Sequence, residues 1–482
     1  MRISGLASGL DVDAMVKELM KARRTSYDTM IKKRGQVEWK REDYRAISTK
    51  IVDFRNNKLS TFNLSNAISA KMSQVTGDTL ALKVNSTSST AAGSMIVKVE
   101  QLALSQTNVY NFGVSSGTAQ LDTLGFTEDP ENTSNIAFTI NGEKISVSKT
   151  ATLSDLASVI NASSSKSKAM ALYNADTGQF SLAATETGEN KLAMTESVFI
   201  PNGSNARYDS VASVAGGKAR VNINGVTYEQ DSNRFSVNGV DFTAQAISAT
   251  GATISVIKDT SKIVETVKNF VTEYNQLISV INGELSEEKN RAFLPLTSDE
   301  KASLSDKEVE QWEAKARSGA LRNDATLSKY VSDLRSIATT LIAGVGNGTV
   351  SVGITTGSYS EKGKLVLDEE QLSKALDSHS DETISLFADG TNGIFKKMMD
   401  TSMTALTDLS KIAGTSLTSS DSATAFLEGS LIGEQLRSMK DKETMVLARL
   451  NKLETQYYKQ FSAMEAAINK MNSQSSSLSS FA

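Results

Sequence analysis

The sequence has no cysteine, which excludes a disulfide framework, a thiolate nucleophile and any zinc–thiolate site. Its single histidine, His379, leaves imidazole-based catalysis or metal binding almost nothing to work with. Only three prolines occur, Pro130, Pro201 and Pro295. A chain threaded unfolded through a narrow channel gains from lacking both disulfides and slow prolyl isomerisation, so these counts fit an exported subunit. Aromatic residues make up 6% of the chain and hydrophobic residues 39%, which points to modest cores under much small, polar surface. No apolar run approaches the roughly 18 residues a membrane helix needs, so no membrane insertion is expected. Net charge is only −4, which argues against nucleic acid or an anionic membrane as the main partner. The start, Met1-Arg2-Ile3-Ser4-Gly5-Leu6, lacks a charged stretch followed by an apolar block, so no Sec-type signal peptide is expected.

What is present is a nest. The 482 residues read as an α+β multidomain chain whose helical, coiled-coil terminal regions enclose nested β-rich inserted domains. In the N-terminal stretch, Asp11 is placed to cap a helix that carries Val12, Val16, Leu19 and Met20. Met30, Val37, Tyr44 and Ile51 follow at seven-residue spacing, with Ile47 and Phe54 on the alternate seam position. Gly35 within this run is expected to break or bend the helix. Near the other end, Leu436, Leu450, Tyr457, Met464 and Met471 fall on one heptad position and Met439, Val446 and Leu453 on the other. Glu443, Gln460 and Gln474 interrupt that seam. Each apolar seam residue contributes roughly 1.5–3 kcal/mol when fully buried, so an interrupted seam makes a marginal helix that orders fully only when others cover it. The pattern alone leaves open whether it packs within one chain or between subunits.

Between the ends the period changes to two. Asn-Gly pairs at Asn141-Gly142, Asn224-Gly225 and Asn238-Gly239 mark tight hairpins between short alternating strands. Thr152-Leu153-Ser154-Asp155 opens a short amphipathic helix through Leu156, Val159 and Ile160, and a helical period returns from Lys262 to Leu285. The simplest nesting has terminal legs at 1–40 plus 431–482 and a mainly helical domain at 41–75 plus 259–430. A β-rich domain occupies 76–112 plus 216–258, and an inserted β-rich domain 113–215.

Chemistry is hard to find. His379 lies in the polar segment Asp377-Ser378-His379-Ser380-Asp381 without a nucleophile nearby and reads as solvated. Gly344-Val345-Gly346-Asn347-Gly348 resembles a phosphate loop but lacks its Gly-Lys-Ser/Thr ending and follows a helix, so it reads as a turn. No metal site, catalytic group or cofactor is expected. The basic cluster Lys21, Arg23, Arg24, Lys32, Lys33 and Arg34 is interleaved with acids and reads as a solvated helix face. With no chemistry to place, the composition reads best as that of an exported structural protein.

Specificity comes from segments taken in order. Ile3-Ser-Gly-Leu-Ala-Ser-Gly-Leu-Asp-Val12 and Val16-Lys-Glu-Leu-Met20 resemble the N-terminal signature of the flagellar filament cap, or flagellar hook-associated protein 2, family. Phe270-Val-Thr-Glu-Tyr-Asn-Gln-Leu277, Pro295-Leu-Thr-Ser-Asp-Glu-Lys301, Glu308 to Asp324 and Gly363-Lys-Leu-Val-Leu-Asp-Glu-Glu-Gln-Leu372 resemble its later segments. Asn141-Gly142 with Thr152 to Asn161 is similar to an insertion motif of flagellar axial proteins. The resemblance implies an extracellular cap at the flagellum tip, exported by the flagellar type III system without a cleaved signal. It implies a ring-shaped homo-oligomer, often a pentamer, whose partners are flagellin, hook–filament junction proteins and an export chaperone at the C-terminal region. Its helical legs reach toward the filament while the β domains form the plate. Two rivals stay open: another axial or junction protein, and a cell-adhesion role in which the β domains bind mucin or another host ligand. An enzyme hidden in the β domains has very little residue support.

Overall fold

The computed structural model describes residues 11–114, 117–126, 128–194 and 209–479. Residues 3–10 of the N-terminal signature, together with Pro201, lie outside them. The chain forms two compact units: one from the segments before residue 69 and after residue 259, the other from Ser69–Asp259.

In the helical unit, one unbroken helix spans Val12–Asp53. Asp11 adopts extended backbone and accepts a hydrogen bond from the Ala14 N–H at 2.9 Å, which satisfies one of the orphan donors of the first turn. The expected break at Gly35 does not occur. A Cβ at that position would stand 3.2 Å from the Cβ of Pro295, so the glycine keeps the helix surface shallow where buried Pro295 seats. Its selection reflects a close approach across the helix, not backbone freedom. A π-helical turn, Phe54–Leu59, extends the rod and carries Phe54 and Leu59 into the core.

That core is aromatic. The helix Thr260–Ser286 brings Phe270 edge-on to Phe395 of the helix Ile394–Ala413 at 5.1 Å, and Phe62 and Phe387 pack on Phe395 at 6.0 and 5.8 Å. Tyr330, fully buried on the helix Ala325–Ile342, shares a 2.8 Å hydrogen bond with Ser402, so its hydroxyl is not left unpaired. Asn275 both donates to the carbonyl of Leu365 and accepts from its N–H, docking the two-stranded ribbon Ile354–Thr356/Leu365–Leu367 on the return helix.

The β unit holds two cores. In the first, a five-stranded antiparallel sheet, ordered Lys71–Gly77, Ala252–Lys258, Ser94–Gln101, Ala219–Ile223 and Val226–Gln230, faces a three-stranded sheet. Alternation places Met95, Val97 and Val99 inward on Ser94–Gln101, where they meet Phe235 and Phe242 stacked at 5.5 Å. In the second, the strands Asp209–Val214, Ser105–Asn111, Gln179–Thr187 and Ala169–Asn174 pack Phe180 and Leu182 against the helix Leu153–Ala162, which opens with a reciprocal Thr152/Asp155 capping box. Asn141, at φ 50°, starts a tight turn and bonds the backbone of Ser167, Lys191 and Ala193.

Observed boundaries differ from the expected ones in three places. The inserted sheet begins with Ser105–Asn111, not at 113, because that strand pairs with Gln179–Thr187. The strand Lys71–Gly77, whose residues up to 75 are expected in the helical domain, pairs with Ala252–Lys258 and belongs whole to the β unit. The N-terminal helix runs through residue 40 without interruption, so no structural boundary separates leg from body there.

Candidate assembly surface

The terminal seam is built from two long helices. On Val12–Asp53, Val12, Val16, Met20 and Tyr27 are buried at spacings of four, four and seven residues, which keeps them on one face. Facing them on the helix Leu431–Ser479, Leu450 is buried and Val446, Leu453, Tyr457, Tyr458 and Phe461 are half-buried. The pair is antiparallel. Arg34 lies 3.0 Å from Glu443, whereas Val16 and Met20 line a cavity with Leu450, Glu454 and Tyr458.

The expected seam residues divide among three environments. Val446, Leu450, Leu453 and Tyr457 pack against the first half of the N-terminal helix. Met30, Val37, Leu436 and Met439 are half-buried, with Val37 and Met439 sharing one cleft. Tyr44 and Ile51 are buried in the helical body; the Tyr44 hydroxyl donates to Asp324, and burial followed by that bond pushes its pKa upward. Met464 and Met471 are exposed at 37% and 69%.

The N-terminal side of this cluster holds the residues that the heptad pattern does not pick out as seam members. Val12, Val16 and Met20 read only as a helix start, and Tyr27 was not singled out; their 4-4-7 spacing is the signal that finds them. Of the polar interruptions, Glu443 is taken up by Arg34, while Gln460 and Gln474 are exposed.

Charge clamps the flank of this pair. Lys32 bonds Glu300 at 2.6 Å and Arg34 bonds Glu38 at 2.7 Å. Burial tends to raise the Glu300 carboxyl, but Lys32 and the Thr297 cap outweigh it and hold it below its usual range. Beside Pro295, Trp312 donates its indole N–H to the Leu294 carbonyl at 2.8 Å and packs edge-on to Phe293.

Other expected sites resolve simply. His379 joins two helices, half-buried, with its Nδ1 3.1 Å from the Ser378 hydroxyl. The Gly344–Gly348 loop closes on itself through Val345 and Val350, and its Gly346 N–H donates to the Glu382 carboxylate. A loop whose amide is occupied by a side-chain carboxylate is arranged as a tied turn. Among the described residues, no cluster of three metal-ligating side chains occurs.

The similarities of the chain run along its length. The family described as Flagellar hook-associated protein 2 C-terminus matches residues 216–473, and its N-terminus counterpart matches residues 8–106. Flagellar hook-associated protein 2 of Halalkalibacterium halodurans is 25% identical over 539 residues, covering 100% of this chain and 99% of that protein. The Thermotoga maritima protein of the same name is 27% identical over 352 residues, covering 70% of this chain and 54% of that one. The crystal structure of the flagellar cap protein from Escherichia coli has a similar fold, with a TM-score of 0.50 and 19% identity over 82% of this chain and 99% of that chain. Two matched segments that together span most of the sequence, on a fold of paired terminal helices around a β insertion, show that the chain belongs to the flagellar hook-associated protein 2 family.

Proposed function

We propose that this chain is the structural cap at the distal tip of a bacterial flagellar filament, where it promotes folding and insertion of exported flagellin and prevents its loss. The observation that carries the reading is the family match at both ends of the chain, joined by a relative aligned over its whole length. Among the described residues of the β unit, no feature favours the adhesin alternative. In this reading, copies of the chain form a closed ring, a pentamer in its expected form, at an extracellular site reached through the flagellar type III channel. Flagellin and the hook–filament junction proteins are its contacts in the filament, and an export chaperone holds the C-terminal region before secretion. No helix among the described residues is long and apolar enough to cross a membrane.

The terminal seam supports the moving part of this function. A two-helix pair to which the C-terminal helix contributes one buried residue, Leu450, holds weakly, which suits legs that detach and rebind as each subunit is added. Val446, Leu450, Leu453 and Tyr457 set the leg pairing in this reading, and Met464 and Met471 remain free to meet other subunits. Deleting the gene and assaying flagellin in the medium and filaments by microscopy tests the cap function. Monomeric flagellin in the medium with short or absent filaments is expected; normal filaments would sink the proposal. Truncation before Leu436 is expected to leave a soluble body that no longer complements.

A further inference from the structure

A cleft of about 300 Å³ opens where four segments of the helical unit meet, one of them the stretch after the helix Thr260–Ser286, which supplies Lys289. The other three are the middle of the N-terminal helix, the end of the helix Asp306–Arg317 with the turn after it, and the first turns of the C-terminal helix. Lys33, Lys40, Lys289 and Arg317 line it, and no carboxylate does. Arg317 is balanced by Asp43 and Glu42, and Lys40 stands 5.4 Å over the Tyr44 ring. Among the described residues no carboxylate lies within ion-pair distance of Lys33, Lys40 or Lys289, so these three lysines supply the cleft's charge in a chain whose net charge is −4. Trp39 and Met439, both half-buried, give the cleft an apolar floor.

Spacing narrows the ligand. Lys33 and Lys40 are two helical turns apart, roughly 10 Å along the axis, which is too far for one small anion to touch both. Carboxylates seven residues apart on a second helix match that interval, and an apolar side chain between them would meet Trp39. We propose that this cleft docks an acidic amphipathic helix of a partner protein. Its carboxylates face the three lysines and its apolar residue rests on Trp39 and Met439. Like-signed cations held in one concave surface attract such a segment and exclude basic ones. Docking there also ties the first turns of the C-terminal helix to the helical body.

Trp39 is one of only two tryptophans, so Trp312→Phe in the full chain leaves a single reporter in the cleft. The probe is a synthetic helical peptide with glutamates at i and i+7 flanking a leucine, beside the same peptide with glutamines. A saturable change in Trp39 fluorescence is expected with the glutamate peptide, weakening with added salt. Affinity should fall at least tenfold for the glutamine peptide and for the Lys33→Glu, Lys40→Glu double variant. Circular dichroism checks that variant, and Lys33→Ala with Lys40→Ala repeats the measurement if it is misfolded. Equal binding by the variants, no binding at all, or inorganic polyphosphate bound as tightly as the glutamate peptide would each overturn the proposal.

Discussion

One continuous helix, Val12–Asp53, lives in two surroundings. Its first half packs its apolar face on the C-terminal helix alone, burying Val12, Val16, Met20 and Tyr27, and meets the short helix Ser298–Ala302 through the charged flank of Arg24 and Lys32. Its second half enters a body of several helices, where Tyr44, Ile47, Ile51 and Val52 are buried and Phe54, Leu59 and Phe62 follow on the continuing turns. Both halves show apolar residues at helical spacing, so both look like seams in the sequence. A side chain between two helices keeps a solvent side, whereas one inside a bundle is enclosed and gains dispersion contacts all round. The comparison teaches that periodicity reports which face is apolar, and the number of neighbours sets how firmly that face is held.

Breaking the body should cost most. Phe395 is fully buried among three other phenylalanines, and Phe395→Ala is expected to lose about 3–5 kcal/mol by denaturant unfolding. Leu450→Ala removes the one buried side chain the C-terminal helix contributes to the pair. We expect about 2 kcal/mol, the low end for such a truncation, because the exposed pair can relax around the gap. Hydrogen exchange should quicken around residues 440–460 and leave the body unchanged; equal acceleration in both would erase the distinction drawn here.

A smaller effect tests the junction between the two halves. Gly35→Leu puts a side chain where Pro295 now sits and should cost about 1–2 kcal/mol by overpacking. Displacement of Pro295 also disturbs the neighbouring Trp312–Leu294 hydrogen bond. A shifted Trp312 emission is therefore expected, and an unchanged spectrum would show that the contact yields without cost.

The smallest effect is a pair of opposite pH dependences. Glu300 titrates below its usual range once Lys32 and Thr297 outweigh burial. It therefore contributes stability above its unfolded pKa, lost as pH falls through its folded pKa. Glu284 is pushed upward by burial and by Asp43 and Glu287, against Arg317. Its protonated form is favoured in the fold, so that contribution is present below its unfolded pKa and lost as pH rises through the folded one. Glu300→Gln should flatten the loss of stability on acidification. Glu284→Gln should stabilise at neutral pH, with the gain vanishing in acid. Denaturant midpoints between about pH 3 and 7 separate the two, and parallel profiles for both variants would refute the assignment.

Much of the architecture was legible because local rules act over a few residues. Asp11 as a cap, the Asn141-Gly142 and Asn224-Gly225 turns, and the Thr152/Asp155 box all rest on interactions within four positions. Gly35 was misread because a glycine inside a helical pattern signals a break only when nothing packs there. Pro295, distant in sequence, was what that glycine accommodates. The strand Ser105–Asn111 was assigned to the wrong core for a similar reason: alternation shows that a segment is a strand and says nothing of its pairing partner.

The sequence by itself determined the nested order of helices and strands, the family, and the absence of thiol chemistry, since these depend on residue types and short spacings. Tertiary structure alone decided that Val12, Val16, Met20 and Tyr27 share one apolar cluster with Leu450 of the C-terminal helix while Tyr44 and Ile51 join the body. It alone gathered Lys33, Lys40 and Lys289 around one cleft. The physical reason is that partner choice depends on which surfaces the rest of the chain has already filled, a property no local pattern carries.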